Sequence, residues 1–454
     1  MQSQRDYVLR TVEERGIKFI QLWFTDVLGI PKAFNITPAE IENALDEGMT
    51  FDGSAVDGFS RVQESDVLAK PDPRTFQLLP FRAGGAAGGG RGHDDPAVAR
   101  VFCDVFNLDG TPFEGCPRHV LRRALEKARG KGFSFFAAPE IEYFYFADAS
   151  TDTPPKPLDH GSYFELTVGD LTTELRKRTV LTLEEMGIPV EYAQHEDAPS
   201  QHEIDLRYTD ALTMADTVMT VRLVVKEIAQ QRGVHATFMP KPLEGVQGSG
   251  MHTHFSLFEG DQNAFHDPGD EHGLSKLAKQ FIAGLLEHAC EITAVTNQWV
   301  NSYKRLVAGY EAPVQVSWAY NNRSALVRVP IAKRGKIEST RIEYRSPDPA
   351  CNPYLAFAVI LAAGLKGIEM GYELPEEAAT NVFEMTPEEL ASEGFKPLPG
   401  SLHDAIVAME RSELVAETLG EHVFEWFIRN KRAEWYDYKR QVSQFELDRY
   451  LPVL

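Results

Sequence analysis

Cysteine is scarce, with four in 454 residues, at Cys103, Cys116, Cys290 and Cys351. None forms a Cys-x-x-Cys pair, which argues against a disulfide scaffold and against a thiolate metal site. The expectation is reduced thiols in a cytoplasmic protein. Basic residues are few beside acidic ones, 46 against 67, and the formal charge is −21. That balance disfavours a nucleic-acid backbone or an anionic membrane surface as partner. Long apolar runs are missing too. The start, Met1 to Asp6, has none of the hydrophobic character of a signal peptide. Tyr354 to Leu365 is too short to span a bilayer and reads as a buried helix. There is no Walker loop and no kinase motif set. Gly84 to Gly92 is glycine-rich but irregular, with no lysine in the required place, so it reads as a flexible surface loop.

What is present is ordinary for a globular chain, 43% hydrophobic and 25% charged. The length predicts two domains, the larger with a sizeable core. Residues 17–36 alternate and break at Gly29-Ile30-Pro31, as a hairpin does. A helix follows, with Thr37 as N-cap, Pro38 in the first turn, Glu40 completing a capping box and Gly48 as the stop. Phe51-Asp52-Gly53-Ser54 reads as a loop, and strands near 76–80 and 99–105 complete a small sheet-plus-helix domain. From Cys116-Pro117 onward, helices are predicted at about 117–130, 170–186, 210–232 and 275–296, alternating with strands. Tyr372 to Pro399 reads as a surface connection. The tail is helical and more apolar than a free end needs, which suggests docking on another subunit.

Four strand-like stretches carry polar residues on one face. Pro139-Glu140-Ile141-Glu142-Tyr143-Phe144 places Glu140 and Glu142 together, because the side-chain period of a strand is two. Its apolar flanks, Phe133, Phe135, Phe136 and Phe146, make burial the expectation, and buried paired carboxylates call for a cation. Glu196 and Glu203 flank a Pro-containing turn, His252, His254 and Ser256 share a strand face, and Arg341, Glu343 and Arg345 share another. Each alone has a plain structural explanation: a solvated face, a satisfied core histidine, a salt-bridge ladder. Convergence would bring together Glu140, Glu142, Glu196, Glu203, Glu343 and His252, an oxygen-rich set suited to Mg²⁺ or Mn²⁺. Arg305, Arg323, Arg328, Arg341 and Arg345 stand nearby in sequence, and carboxylates, divalent ions and guanidiniums are the components of phosphoryl transfer.

At this point the motifs resemble the bacterial-type glutamine synthetases, over essentially the whole chain. The resemblance rests on Phe51-Asp52-Gly53-Ser54, Glu64-Ser65-Asp66, the Pro139 to Phe144 stretch and Lys241-Pro242 leading to Gly248-Ser249-Gly250-Met251-His252. It continues through Asn301 to Leu306, Glu311-Ala312-Pro313, Asn322-Arg323-Ser324, Arg345 to Pro349 and Asn352-Pro353-Tyr354. It implies an α+β fold: an N-terminal β-grasp domain, 1–108, then a catalytic domain, 109–454, with a curved antiparallel sheet, flanking helices and a C-terminal helical tail. It implies two stacked hexameric rings, a homododecamer with active sites between subunits.

Roles follow from the same resemblance. Glu142, Glu196 and Glu203 would hold one metal and Glu140, His252 and Glu343 the other. Glu191, Leu206, Tyr208, His254, Ser256, Arg328 and Arg341 would line the ATP site, with Lys333 or Lys336 beside them. Gln247, Gly248, Arg305 and Arg345 would meet the glutamate, and Arg323 the phosphate in transfer. Asp52 of the neighbouring subunit would take the proton of ammonium, and Glu311 would sit on a closing flap. Glutamine would then form from L-glutamate, ATP and ammonia through a γ-glutamyl phosphate, a reaction of nitrogen metabolism. There are departures from the family pattern. Gln247 stands where the family usually has Asn, Ala308 where Pro is common, and 84–92 is an apparent insertion. There is no counterpart of the adenylylation loop, and Arg61 occupies a position that senses product in a related subgroup. These features also resemble the secondary glutamine synthetase-like proteins of actinobacteria, so the alternative acceptor is a larger amine, a polyamine such as putrescine or spermidine. A non-catalytic member of the family is disfavoured, because every expected metal ligand is in place.

Overall fold

A computed structural model of the chain describes residues 2–56, 58, 66–81, 97–166, 169–332, 335–336, 339–378 and 381–454. The Gly84–Gly92 stretch, Arg61, Glu64, Ser65 and Lys333 lie outside the described residues.

The first sheet is built from β1 (Ile17–Thr25), β2 (Pro31–Ile36), β3 (Met49–Asp52), β4 (Asp66–Pro71), β5 (Gln77–Leu78) and β6 (Ala97–Asn107). Its order is β2-β1-β6-β4-β3, with β5 also paired to β6. β1 and β6 run parallel at its centre, and the other pairs are antiparallel. The β1–β2 hairpin is the one the sequence predicts. An N-terminal helix not predicted from the sequence, α1 (Gln2–Glu14), closes one face by burying Val8 and Val12 against Ile20 and Leu22. This is the expected β-grasp arrangement.

Two local expectations are corrected here. Thr37 is extended and makes no side-chain cap; Pro38–Glu40 winds as a tight 3₁₀ turn, and α2 (Ile41–Asp46) follows it. In this tighter turn the Glu40 N–H donates to the Thr37 carbonyl (3.0 Å), so the third-position N–H that a capping box needs is already taken. Phe51 and Asp52 belong to a strand rather than a loop. Phe51 stacks near Phe24 and Phe34, with ring centroids 4.7 and 5.7 Å away, and this contact keeps the segment extended.

The larger part alternates strands and helices. In order come α3 (Pro117–Gly130), β7 (Phe133–Phe146), α4 (Leu171–Glu185), β8 (Val190–His195), β9 (Gln201–Leu206), β10 (Thr209–Asp210), α5 (Ala211–Gln231), β11 (His235–Thr237), β12 (Thr253–Glu259), β13 (Gln262–Asn263) and α6 (Lys276–Thr296). Then follow α7 (Ser302–Arg305), β14 (Gln315–Val316), β15 (Trp318–Tyr320), β16 (Val327–Val329), β17 (Ile342–Tyr344) and α8 (Pro353–Met370). The four predicted helices are α3, α4, α5 and α6. The main sheet runs β15-β16-β17-β12-β7-β9-β8, with β10 and β11 on β7 and β13 on β12. Every pair is antiparallel except β15–β16. β7 is its longest strand and presents Glu140 and Glu142. Helix α8 is longer than the apolar run that announced it. It is apolar enough to cross a membrane, but 72% of it is buried inside the chain against other helices. Tyr372 to Pro399 contains a short helix, α9 (Pro387–Ser392), so it is not a bare connection. The chain ends in α10 (Leu402–Glu410), α11 (Glu413–Leu419), α12 (Glu421–Lys439) and α13 (Gln444–Tyr450).

A buried ion network ties the first sheet to the second. Arg118 of α3 donates to Asp216 of α5 through Nε (3.0 Å) and Nη2 (2.8 Å), to Asp104 of β6 (2.9 Å) and to Asp72 beyond β4 (3.1 Å). Tyr354 of α8 donates to Asp216 at 2.6 Å. Arg118 is buried and, among the described residues, is the one cation within ion-pair reach of Asp216, whereas Asp72 and Asp104 keep Arg122, so its removal leaves a buried Asp216 without its counter-charge. Arg118→Ala is expected to lower stability by about 3–5 kcal/mol in urea unfolding. A loss within the range of an exposed pair, below about 1 kcal/mol, contradicts this role.

Candidate active site

The polar faces do converge. A cavity of about 470 Å³ is lined by Glu140, Glu142, Glu196, Glu203, Gln247, Gly248, His252, Arg305, Glu311, Arg323, Arg328 and Arg345, together with residues the sequence did not single out, Tyr163, Tyr192, Gln194 and Gln201. Strand pairing explains the acidic wall. Across β7 and β9, Glu142 stands opposite Glu203 and Glu140 opposite Asp205. Glu196 enters from the β8–β9 turn, where Ser200 has a positive φ of 58°. Gln194 Nε2 bridges Glu196 (2.8 Å) and Glu203 (3.4 Å). Glu142 accepts from the Gly250 N–H (2.9 Å) and from Gln201 Nε2 (3.0 Å).

The other end of the wall is held by histidines and arginines. His254 Nδ1 accepts from Arg341 Nε at 3.2 Å, so its Nε2–H donates to Glu140 at 2.7 Å. His252 Nδ1 lies 3.4 Å from Glu140. Glu343 is fully buried behind these groups and its two oxygens are taken by Arg328, at 2.6 Å, and by Arg345. Ligand atoms of Glu140, His252 and Glu343 fall within 4.8 Å of one another, a spacing a single ion can span.

Electrostatics divide the wall in two. Despite burial, hydrogen bonds from His252 and His254 hold Glu140 well below the usual carboxylate range. Despite burial, Arg345 holds Glu343 down at about 2. Burial and the Glu196 charge push Glu142 up, and burial and Asp205 push Glu203 up. Burial raises Asp205 to about 7, Glu140 adding to it. Burial and Arg345 bring His252 down to about 4, so it presents a neutral imidazole.

Opposite the acids, Gly248 brings bare backbone to the cavity. A Cβ there would come 2.4 Å from the Pro240 carbonyl oxygen. Arg305 is buried and, among the described residues, has no carboxylate within ion-pair reach. Its Nη1 donates to the Ser346 carbonyl (2.6 Å) and its Nη2 to that of Arg345 (3.2 Å). At the mouth, Tyr163 Oη donates to Glu311 at 2.8 Å, and Glu311 holds a positive φ of 58°.

A wall of carboxylates, a neutral imidazole and several guanidinium groups facing one cavity suits divalent cations, phosphates and a carboxylate substrate. Two family models match the chain, "Glutamine synthetase, beta-Grasp domain" over residues 16–108 and "Glutamine synthetase, catalytic domain" over 114–450. The chain belongs to the glutamine synthetase family. Its relatives include the glutamine synthetase of Mycolicibacterium smegmatis, 56% identical over 99% of this chain and 100% of that protein. The glutamine synthetase of Thermotoga maritima is 48% identical over 98% of each. Among solved structures, one titled "GmaS/ADP complex-Conformation 1" is 33% identical with a TM-score of 0.85, covering 98% of this chain and 99% of that one. Plasmodium falciparum glutamine synthetase, at 24% identity over 98% of each chain and a TM-score of 0.87, shares the fold.

Not every residue expected in this family member's site reaches the cavity. His254 and Arg341 stand just behind its acidic wall, exposed Glu191 lies close enough to act on Arg341, and Ser256 is half-buried further along β12. Leu206 and Tyr208 line a second cavity, of about 800 Å³. The alternation of β9 turns Leu206 away from Glu203 and into the apolar core. Asp52 is exposed in the first sheet, where its carboxylate accepts from Ser54 N (2.9 Å) and Oγ (2.6 Å). Lys336 is exposed. Asp205 was missed, although Glu203-Ile204-Asp205 has the same alternation as Glu140-Ile141-Glu142.

A second cluster, Asp159, His195 and His202, has metal-like spacing. Arg176 donates to His202 Nδ1 at 2.6 Å, which puts that ring's proton on Nε2, the atom facing Asp159 at 3.8 Å. His195 donates from Nδ1 to the Glu196 carbonyl (2.6 Å) and from Nε2 to Asp159 (3.0 Å). This network braces Glu196; it does not offer two free imidazole nitrogens.

The raised carboxylates have a measurable consequence. Near pH 6 Asp205, raised to about 7, carries a proton that a cation must displace, and Glu142 and Glu203 are shifted in the same direction, whereas His252, down at about 4, carries none. Mn²⁺ binding is therefore expected to release protons at about pH 6, fewer at about pH 8, with affinity rising as pH rises. Calorimetry in two buffers of different ionisation enthalpy measures the release. Equal heats in both at about pH 6 would contradict it.

Proposed function

We propose that the chain is a glutamate–ammonia ligase that forms L-glutamine from L-glutamate, ATP and ammonia. The observation that carries this is the single cavity joining Glu140, Glu142, Glu196 and Glu203 to Arg305, Arg323 and Arg345. Glu142, Glu196 and Glu203 hold one divalent cation and Glu140, His252 and Glu343 a second. Their donor set of carboxylate oxygens with one imidazole fits Mg²⁺ or Mn²⁺. When bound, such ions neutralise phosphate oxygens.

Arg305 and Arg345 receive the carboxylates of glutamate, with Gly248 offering backbone and Gln247 beside it. Glu191, His254, Ser256, Arg328 and Arg341 form the nucleotide end, and Leu206 and Tyr208 contact it only if ATP reaches toward the second cavity. The γ-carboxylate oxygen bonds to the γ-phosphorus, the bond to the bridging oxygen breaks and ADP leaves. Arg323 faces the charge that builds in this step. Ammonium gives a proton to Asp52 of the adjoining subunit, and the ammonia nitrogen attacks the acyl carbon as phosphate departs. Glu311, latched by Tyr163, closes over the intermediate and keeps water from it.

Such a site is shared between subunits, and the exposed tail supports assembly. Phe445, Leu451 and Leu454 of the tail project into solvent in the single chain, Leu451 with 76% of its surface open. A dodecamer in the cytoplasm is the assembly proposed, and the four free thiols suit that compartment. The full-length relatives at 46–56% identity favour ammonia over a polyamine as acceptor. ADP release with glutamate and either ammonium, putrescine, spermidine or spermine tests this. ADP is expected with ammonium alone. Release with a polyamine but not ammonium overturns the acceptor, and no release with any amine overturns the ligase.

A further inference from the structure

The carboxylates and imidazole read from the sequence do not exhaust the acidic wall. Asp205 follows Glu203 by two residues on β9, so it shares that face, and the register sets it across from Glu140. Two strands thus present a block of four carboxylates, Glu140 and Glu142 against Asp205 and Glu203. Like charges opposed across strands destabilise a sheet. All four have donors among the described residues. Glu140 has His254, Glu142 has Gly250 and Gln201, and Glu203 has Gln194. Tyr192 and Glu203 hydrogen-bond to the Asp205 carboxylate, yet its Oδ1 is buried with no partner among the described residues. The residue is 5% exposed. Glu343, by contrast, has both oxygens engaged by arginines.

A buried, bare carboxylate oxygen facing an acid calls for a cation. We infer that Asp205 is a further oxygen anchor for the divalent cation held at the Glu140 end of the site, in contact with the ion or with one of its waters. The inference rests on the divalent-cation site proposed above. A hard six-coordinate cation takes oxygen donors and keeps several waters, so a fourth side chain there fits its chemistry. By orienting that ion, Asp205 acts as a positioning residue for phosphoryl transfer.

The test is calorimetric titration of the full-length protein with MnCl₂ alone, comparing wild type with Asp205→Asn and Asp205→Ser. Both variants are expected to weaken one class of Mn²⁺ site by about tenfold or more and to leave the other class in place. Asn keeps the shape and loses the charge, and Ser leaves no amide stranded in the wall, so a common loss identifies the carboxylate. If wild type binds Mn²⁺ and both variants match it within about threefold, the role of Asp205 is overturned and the metal site stands. If wild type binds no Mn²⁺, the metal site itself is overturned, and this inference with it.

Discussion

Glu142→Gln is expected to lower kcat for glutamine formation by about a thousandfold or more, roughly 4 kcal/mol of lost transition-state stabilisation. The fold is expected to survive. Glutamine is close in shape to glutamate, and its side-chain oxygen still accepts from the Gly250 N–H and from Gln201 Nε2. What disappears is the negative charge, which burial and Glu196 already disfavour in the metal-free protein. In EDTA the variant is therefore expected to unfold at a higher temperature than wild type at neutral pH, because the unfolded wild-type chain ionises this group freely whereas folding disfavours its charged form. Activity falls and metal-free stability rises. A residue kept for stability alone would move the two together. Steady-state kinetics and thermal unfolding in EDTA separate these cases, and a Glu142→Gln enzyme with near-normal turnover contradicts the assigned role.

That opposition of stability and activity is why part of the site was legible in sequence. Glu140-Ile141-Glu142 violates the expectation for an apolar strand, and alternation alone puts both acids on one face. Alternation does not give cross-strand register. Nothing local sets Asp205 against Glu140 rather than in solvent, so the fourth acid of the block went unseen, though its spacing matched. The Tyr163–Glu311 contact joins segments 148 positions apart and has no periodic trace at all. The same limit misplaced Thr37, where cap residues were present but a 3₁₀ turn displaced the helix start. The helices of the larger part were legible, because amphipathic periodicity and end signals are local properties.

Arg305→Lys is expected to raise the KM for glutamate by about a hundredfold or more, with the KM for ATP within about threefold. Arg305 is 2% exposed and, among the described residues, has no carboxylate in reach. Its planar group is fixed by the carbonyls of Ser346 and Arg345, and Nη2 lies 3.4 Å from His252 Nε2. Burying an uncompensated guanidinium is unfavourable, so the folded chain holds it at a cost in stability that a bound anion offsets. Lysine preserves the charge and most of the volume, and so avoids the cavity that Arg305→Ala would open. It cannot keep two carbonyl contacts and present a fork to a carboxylate at once. The expected loss of about 2.7 kcal/mol corresponds to one or two charge-assisted hydrogen bonds. Because the nucleotide end is built from other residues, ATP binding should barely change. Equal rises in the KM values for both substrates would mean a collapsed cavity rather than a lost carboxylate contact. An unchanged KM for glutamate would mean that the substrate carboxylate lies elsewhere and that the buried charge of Arg305 serves Glu142.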